Sequence, residues 1–132
     1  MTVQYDINDH HRVITATLSE DAIDSDLADE IRRYLSEIKS QTQYDGYNEI
    51  IDVRSVKGFK LDAGGIRELA QISASYDKKG IHSKLAIIAS SILAFGFAKI
   101  YEIARNFNSK SGKEVRVFKN SDDVYAWFEE GN

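Results

Sequence analysis

The chain has 132 residues, with 17 basic and 21 acidic side chains for a formal net charge of −4, and 42 % of it is hydrophobic. That balance fits one ordered globular domain over residues 1–132 and excludes a disordered chain, while the acidic surplus argues against a nucleic-acid binder. The absence of cysteine removes disulfide frameworks and thiolate metal sites.

Residues 2–7 alternate, with Val3, Tyr5 and Ile7 on one side, and residues 12–18 alternate again with Ile14, Ala16 and Leu18. Around the polar break Asn8-Asp9-His10-His11 they predict a β-hairpin. From 25 to 41 the period changes. Leu27, Ile31, Tyr34, Leu35 and Ile38 recur at three and four, an amphipathic helix with Asp24 or Ser25 as its N-cap. A loop at Tyr44–Tyr47 leads to a short strand, Glu49–Val53. A second helix follows from about Asp62 to Asp77, with Ile66, Leu69, Ala70, Ser73 and Tyr76 inward, closed by Lys78-Lys79-Gly80-Ile81.

Lys84–Ala89 is an apolar run of strand length, the pattern of a strand covered on both faces. Ser90-Ser91 caps a third helix over 91–107, a loop occupies 108–112, Val115, Val117 and Phe118 mark a last strand, and Ser121 caps a final helix. The order ββ-α-β-α-β-α-β-α predicts an α/β fold: right-handed crossovers and a mainly parallel sheet with one antiparallel strand and about four helices.

The segment Glu49–Leu69 resembles the central segment of STAS domains, the anti-sigma-factor antagonists. There a strand ending in aspartate leads to Asp-Ser-Ser-Gly-Leu at the start of a helix; here Asp62-Ala63-Gly64-Gly65-Ile66 stands in that place. Glu114–Phe118 followed by Val124-Tyr125-Ala126-Trp127-Phe128 is similar to the closing strand and helix of the bacterial SpoIIAA-like (STAS-like) proteins of unknown function. That group is related in fold to the CRAL-TRIO lipid carriers. The resemblance implies a SpoIIAA-like fold. STAS switches are phosphorylated on a serine of the Asp-Ser-Ser-Gly segment, and Ala63 and Gly64 offer no hydroxyl, so the phosphoserine switch does not carry over.

No catalytic constellation stands out. Gly-x-Ser-x-Gly, Gly-x-Gly-x-x-Gly and the phosphate-loop pattern are all missing. Ser90 and Ser91 read as helix caps, and adjacent His10 and His11 on a turn diverge too far to hold a metal. Two features suggest binding. Gly64 and Gly65 open a helix N-terminus, with Lys57 and Lys60 on the loop before it, a weak anion site. In the third helix, with Leu93 at zero and 100° per residue, Phe97, Ile100, Ala104 and Phe107 fall within about 40°, a core stripe. Phe95 then falls near 200°, opposite the core, beside Lys99 and Glu102 and a turn from Ile92. A large apolar residue there marks a contact surface.

The expectation is therefore a non-enzymatic STAS-like binding or regulatory domain, working through a protein partner or a homodimer at Ile92, Phe95, Lys99 and Glu102. The alternative is a carrier or sensor of a small apolar or amphiphilic ligand. No cofactor, metal or nucleic acid is expected. The N-terminus lacks the marks of a signal peptide, and the longest apolar stretch, Ile92–Ala98, is far short of the ~20 residues that span a bilayer. A cytoplasmic protein without stable membrane insertion is expected.

Overall fold

In the computed structural model, which describes residues 2–107 and 112–130, the chain opens with the hairpin. β1 (Thr2–Asn8) and β2 (Val13–Ile23) pair antiparallel, Val3 opposite Leu18, Tyr5 opposite Ala16 and Ile7 opposite Ile14. Alternation puts those six side chains on one face. The Asn8 side-chain oxygen accepts from the His11 N–H at 3.0 Å and shapes the turn, and Arg12 sits in the left-handed region at φ 57°.

β2 pairs parallel with β3 (Asn48–Lys60), β3 with β4 (Ser83–Ile88), and β4 with β5 (Lys113–Phe118), giving one sheet in the order β1-β2-β3-β4-β5. Each parallel crossover steps in the same direction. Right-handed connections therefore place α1 (Asp24–Tyr34), α2 (Ala63–Ser75) and α3 (Ile92–Phe107) on one face of the sheet. The last helix, α4 (Val124–Glu129), makes no crossover and packs on the other face. There Val124, Trp127 and Phe128 meet Val13, Ile50, Ala86 and Ile88. The Lys84 ammonium, 5.2 Å from the Trp127 ring centre, donates to the Trp127 and Glu130 carbonyls at 2.6 and 2.7 Å and anchors the end of α4. Among the described residues no helix is long and apolar enough to cross a membrane.

The structure departs from the sequence reading in several places. β2 runs to Ile23 and β3 to Lys60, so Lys57 and Lys60 lie on a strand and not on a loop. Among the described residues, their distal halves beyond Ser19 pair with each other alone, since β1 reaches β2 only as far as Ser19 and β4 joins β3 over Glu49–Asp52. Register shifts between Thr17 and Ser19 and between Glu20 and Asp21, with Glu20 at φ 66°, break the period of two that would have revealed them. α1 starts directly after β2 with Ile23 at the capping position, so neither Asp24 nor Ser25 is the cap. It gives way at Leu35–Lys39 to a π-helical turn rather than running on to 41. α2 ends at Ser75, which leaves Tyr76 exposed; Gly80, at φ 81°, serves the turn closed from Ile81 N–H to the Lys78 carbonyl. α4 has Asp123 at its capping position without a side-chain bond, so Ser121 is not its cap. The loop expected at 108–112 lies outside the described residues except for Gly112.

Two glycines make opposite demands. A Cβ on Gly112 would stand 2.1 Å from the Ile81 carbonyl oxygen, whereas one on Gly96, within α3, would meet nothing within 4 Å. Gly112→Ala forces backbone apart and should destabilise by roughly 1–3 kcal/mol. Gly96→Ala should stabilise by about 0.5–1 kcal/mol, since glycine is the poorer helix former. Urea unfolding of the two variants should therefore move in opposite directions from the parent.

Candidate functional site

α1, α2 and α3 do not close fully on the sheet. They leave a cavity of about 170 Å³. Its walls are mostly apolar, with Leu27 and Ile31 from α1, Ile51 and Phe59 from β3, Leu69 from α2 and Phe97 from α3. Room exists because α3 faces the sheet with small residues: Ala94 and Ala98 are its buried apolar positions. Tyr5 stacks on Tyr34 at 5.6 Å and Phe59 leans on Phe97 at 5.7 Å, so rings brace the walls.

One end of the cavity is charged. It lies at the amino ends of β3, β4 and β5, where α1, α2 and α3 have their carboxyl ends. Alternation along β3 turns Glu49 to the same face as Ile51 and Val53. Its carboxylate accepts from the Tyr34 hydroxyl at 2.6 Å and from the Lys113 ammonium, with Lys39 at 3.7 Å. Lys113 also donates to the Ser83 hydroxyl at 2.6 Å. The π-helical turn brings Lys39 inward, where it donates to the Tyr44 and Tyr47 carbonyls at 3.3 and 3.0 Å. On the α2–α3 side, Arg105 gives Nη1 and Nη2 to the two Asp77 carboxylate oxygens at 2.9 and 3.1 Å, and the Tyr101 hydroxyl donates to Ser73 at 2.9 Å.

Burial alone would raise the Glu49 carboxyl, but Lys113 and Lys39 and the hydrogen bonds from Lys113 and Tyr34 outweigh it and hold its pKa at about 2. Burial, then the neighbouring Glu49 charge, pushes the Tyr34 phenol far up. Burial lowers the Lys39 ammonium, against the pull of Glu49. Glu49 and Tyr34 are thus fixed in their protonation states across neutral pH, as anion and phenol, and act as a scaffold for charge.

The sequence reading placed none of this cluster in a site. The signals were a glutamate directly before the apolar pair Ile50-Ile51, and the spacing Ala94, Ala98, Tyr101, Arg105 at four, three and four. The helical wheel instead took the largest apolar residues as the buried stripe, and the structure corrects its phase. Leu93 and Phe107 face outward; the inward line carries two alanines and an arginine neutralised by Asp77. Phe95 is consequently not opposite the core. It packs partly against the cluster of Leu85, Ile87 and Val117, with the Lys119 ammonium 5.4 Å from its ring centre. The polar residue beside it docks on the sheet edge: the Asn106 amide bonds both the N–H and the carbonyl of Val115, at 3.0 and 2.8 Å. Of the other residues expected there, Lys99 pairs with Glu102 at 2.5 Å and Ile92 is 95 % exposed. Ile92 belongs to an outward stripe with Leu93, Ile103 and Phe107, which borders a groove of about 510 Å³ shared with Arg67 and Gln71 of α2.

At the helix start where an anion site was expected, at Gly64 and Gly65, the Asp62 carboxylate caps α2 and accepts the Gly65 N–H at 2.7 Å, so one of the donors an anion would use is already engaged. Ser91 does cap α3, its hydroxyl accepting the Ala94 N–H at 3.1 Å. Among the described residues no His, Cys, Asp and Glu group of three or more is placed to hold a metal ion.

No family model matches the chain, and no curated protein resembles it closely enough to count as a match. Among solved structures it is similar to an uncharacterised protein of the DUF3478 family with a SpoIIAA-like fold from Shewanella loihica PV-4. The two superpose with a TM-score of 0.58 at 15 % identity, over 96 % of this chain and 92 % of that one. The fold is SpoIIAA-like, as the sequence resemblance implied.

The depressed Glu49 pKa sets a pH dependence. A folded pKa of about 2 against an ordinary value of 4.5 means its contribution is complete above the unfolded value and is lost as pH falls toward the folded one. Stability by urea unfolding should drop between about pH 5 and pH 2. Glu49→Gln should flatten that part of the profile and, at pH 7, destabilise by roughly 3–5 kcal/mol, because Lys113 and Lys39 lose their carboxylate. An unchanged profile would show that Glu49 is not so held.

Proposed function

We propose that this chain is a non-catalytic binding domain whose interior cavity holds a small, largely apolar ligand with a polar end. The observation that carries the reading is the cavity. Protein interiors are close-packed, and a largely apolar pocket of about 170 Å³ between the helices and the sheet forgoes contacts at a cost in free energy. An occupant that restores the missing contacts removes that cost. The polar end supports binding over acid–base chemistry: Glu49, held near 2, is far from the range in which a carboxyl exchanges protons at neutral pH. The reading keeps the cytoplasmic setting expected from the sequence and needs no cofactor.

Benzene fits a cavity of about 150 Å³ in another protein and is a suitable first probe here. It should raise the melting temperature of the parent, with a stabilisation approaching 2.7 kcal/mol at about 100 times its Kd. Ala98→Leu fills the space from α3 and should abolish the response. Native mass spectrometry of gently purified protein should show a small bound molecule. A parent that carries nothing and ignores benzene removes the reading.

A second reading, association of two copies through the outer face of α3, is favoured by the stripe of Ile92, Leu93, Ile103 and Phe107, of which Phe107 is 89 % exposed. A straight apolar stripe is self-complementary about a twofold axis, and homodimer interfaces are richer in such residues than ordinary surface. In sedimentation equilibrium, Phe107→Ser should weaken association by ~2 kcal/mol or more while changing monomer stability by about 0.5 kcal/mol or less. Phe95→Ser should do the reverse, lowering stability with association intact. A parent that is monomeric at every attainable concentration ends this reading.

A further inference from the structure

Resting on the cavity reading, we propose that the ligand is a small neutral carbonyl compound: a compact apolar body in the cavity and a carbonyl oxygen that accepts the Nε–H of Arg105. Arg105 lines the cavity and is 3 % exposed. Its Nη1 and Nη2 donate to the two Asp77 carboxylate oxygens at 2.9 and 3.1 Å. The guanidinium is a planar, rigid fork, so this end-on pairing fixes the direction of the Nε–H as well. It cannot turn to another acceptor without giving up Asp77. Nε is buried and, among the described residues, has no hydrogen-bond partner. A buried donor left unmade is uncommon and unfavourable, and it is worse on a cation.

The charge around it says which acceptor. The cavity lining carries four cations and four carboxylates and is balanced as it stands. Glu49 lies between Lys39 and Lys113, and Asp77 holds Arg105. An anionic ligand would bring a charge with no counter-charge left for it, into a poorly solvated place where charges need partners. A cation would add the same imbalance and could not accept from Nε. The donor therefore calls for an acceptor without charge. A carbonyl oxygen is one, it brings no donor of its own, and its bond to a guanidinium N–H is of the stronger, charge-assisted kind. An alcohol would bring an O–H that needs a further acceptor among mostly apolar walls. The volume sets the body: at about 170 Å³ the cavity takes one small ring or a short chain.

The test uses the intact ¹³C,¹⁵N-labelled chain at pH 7 with cyclohexanone and methylenecyclohexane, the same ring with a methylene group in place of the oxygen. Binding is read by calorimetry and by the Arg105 Nε–H signal, assigned through its own side-chain carbons. Both rings should bind, and cyclohexanone should move the Nε–H resonance far more than methylenecyclohexane does. Arg105→Lys, which keeps the charge but lacks Nε–H, should weaken cyclohexanone about tenfold or more and leave methylenecyclohexane as in the parent. If the lysine variant does not fold, the parent's resonance decides alone. Cyclohexanol binding as tightly as cyclohexanone, cyclohexanecarboxylate binding more tightly, or methylenecyclohexane binding alone overturns the carbonyl assignment and leaves the cavity reading standing. Cyclohexanone that binds with a stationary Arg105 signal overturns the role of Arg105. Binding of neither ring by folded protein overturns both readings.

Discussion

A carboxylate buried at the first inward position of β3 must be met from several directions at once, and much of the architecture follows from how Glu49 is met. Its partners come from the end of α1, from the π-helical turn after it and from the start of β5. A regular continuation of α1 would rotate Lys39 away; the extra residue of the π turn is the local distortion that brings it in. Lys113 reaches Glu49 across β4 because the register sets Ser83 beside Lys113 and Leu85 beside Glu49. Such a network adds little net stability over an apolar replacement, since desolvation offsets attraction. Breaking it is another matter, and it ties together elements separated by 15 and 64 residues.

Local chemistry made much of the fold legible. The hairpin, the cap at Ser91 and the inward positions Ile66, Leu69, Ala70 and Ser73 of α2 each depend on residues within a few positions of one another, and each appears as the pattern indicates. The distal halves of β2 and β3 were illegible because their stability comes from pairing with each other through two register shifts, which erases alternation. The charged cluster was illegible for a similar reason. Glu49, Lys113 and Arg105 each look like an ordinary solvated charge in sequence, and only the topology brings them to one end of one sheet face.

α3 shows why apolar size is a poor guide to helical phase. Close approach to the sheet calls for small side chains, so Ala94 and Ala98 go inward while Leu93, Ile103 and Phe107 stay out. An arginine can occupy the inward line because Asp77, just past the end of α2, neutralises it there. The same choice creates the room beneath the helix and the apolar stripe on top of it. A helix selected for stability alone would do the opposite, filling the cavity with the phenylalanine it leaves in water. Departures from local rules of this kind gather where a fold serves something besides its own stability.

The charged end stands at an unusual place for an α/β sheet. Ligands in open parallel sheets commonly gather at the carboxyl ends of strands, where helix N-termini supply N–H donors. In this chain Asp62 takes the Gly65 N–H at the start of α2, and Ala63 and Gly64 beside it carry no hydroxyl. At the other end, helix carboxyl termini point their carbonyls inward and favour cations. Lys39 ends the π-helical turn and Arg105 lies in the last turn of α3, both where the dipoles want positive charge. The helix ends therefore help to hold three buried cations beside two carboxylates, and the cavity brings its apolar walls up to them.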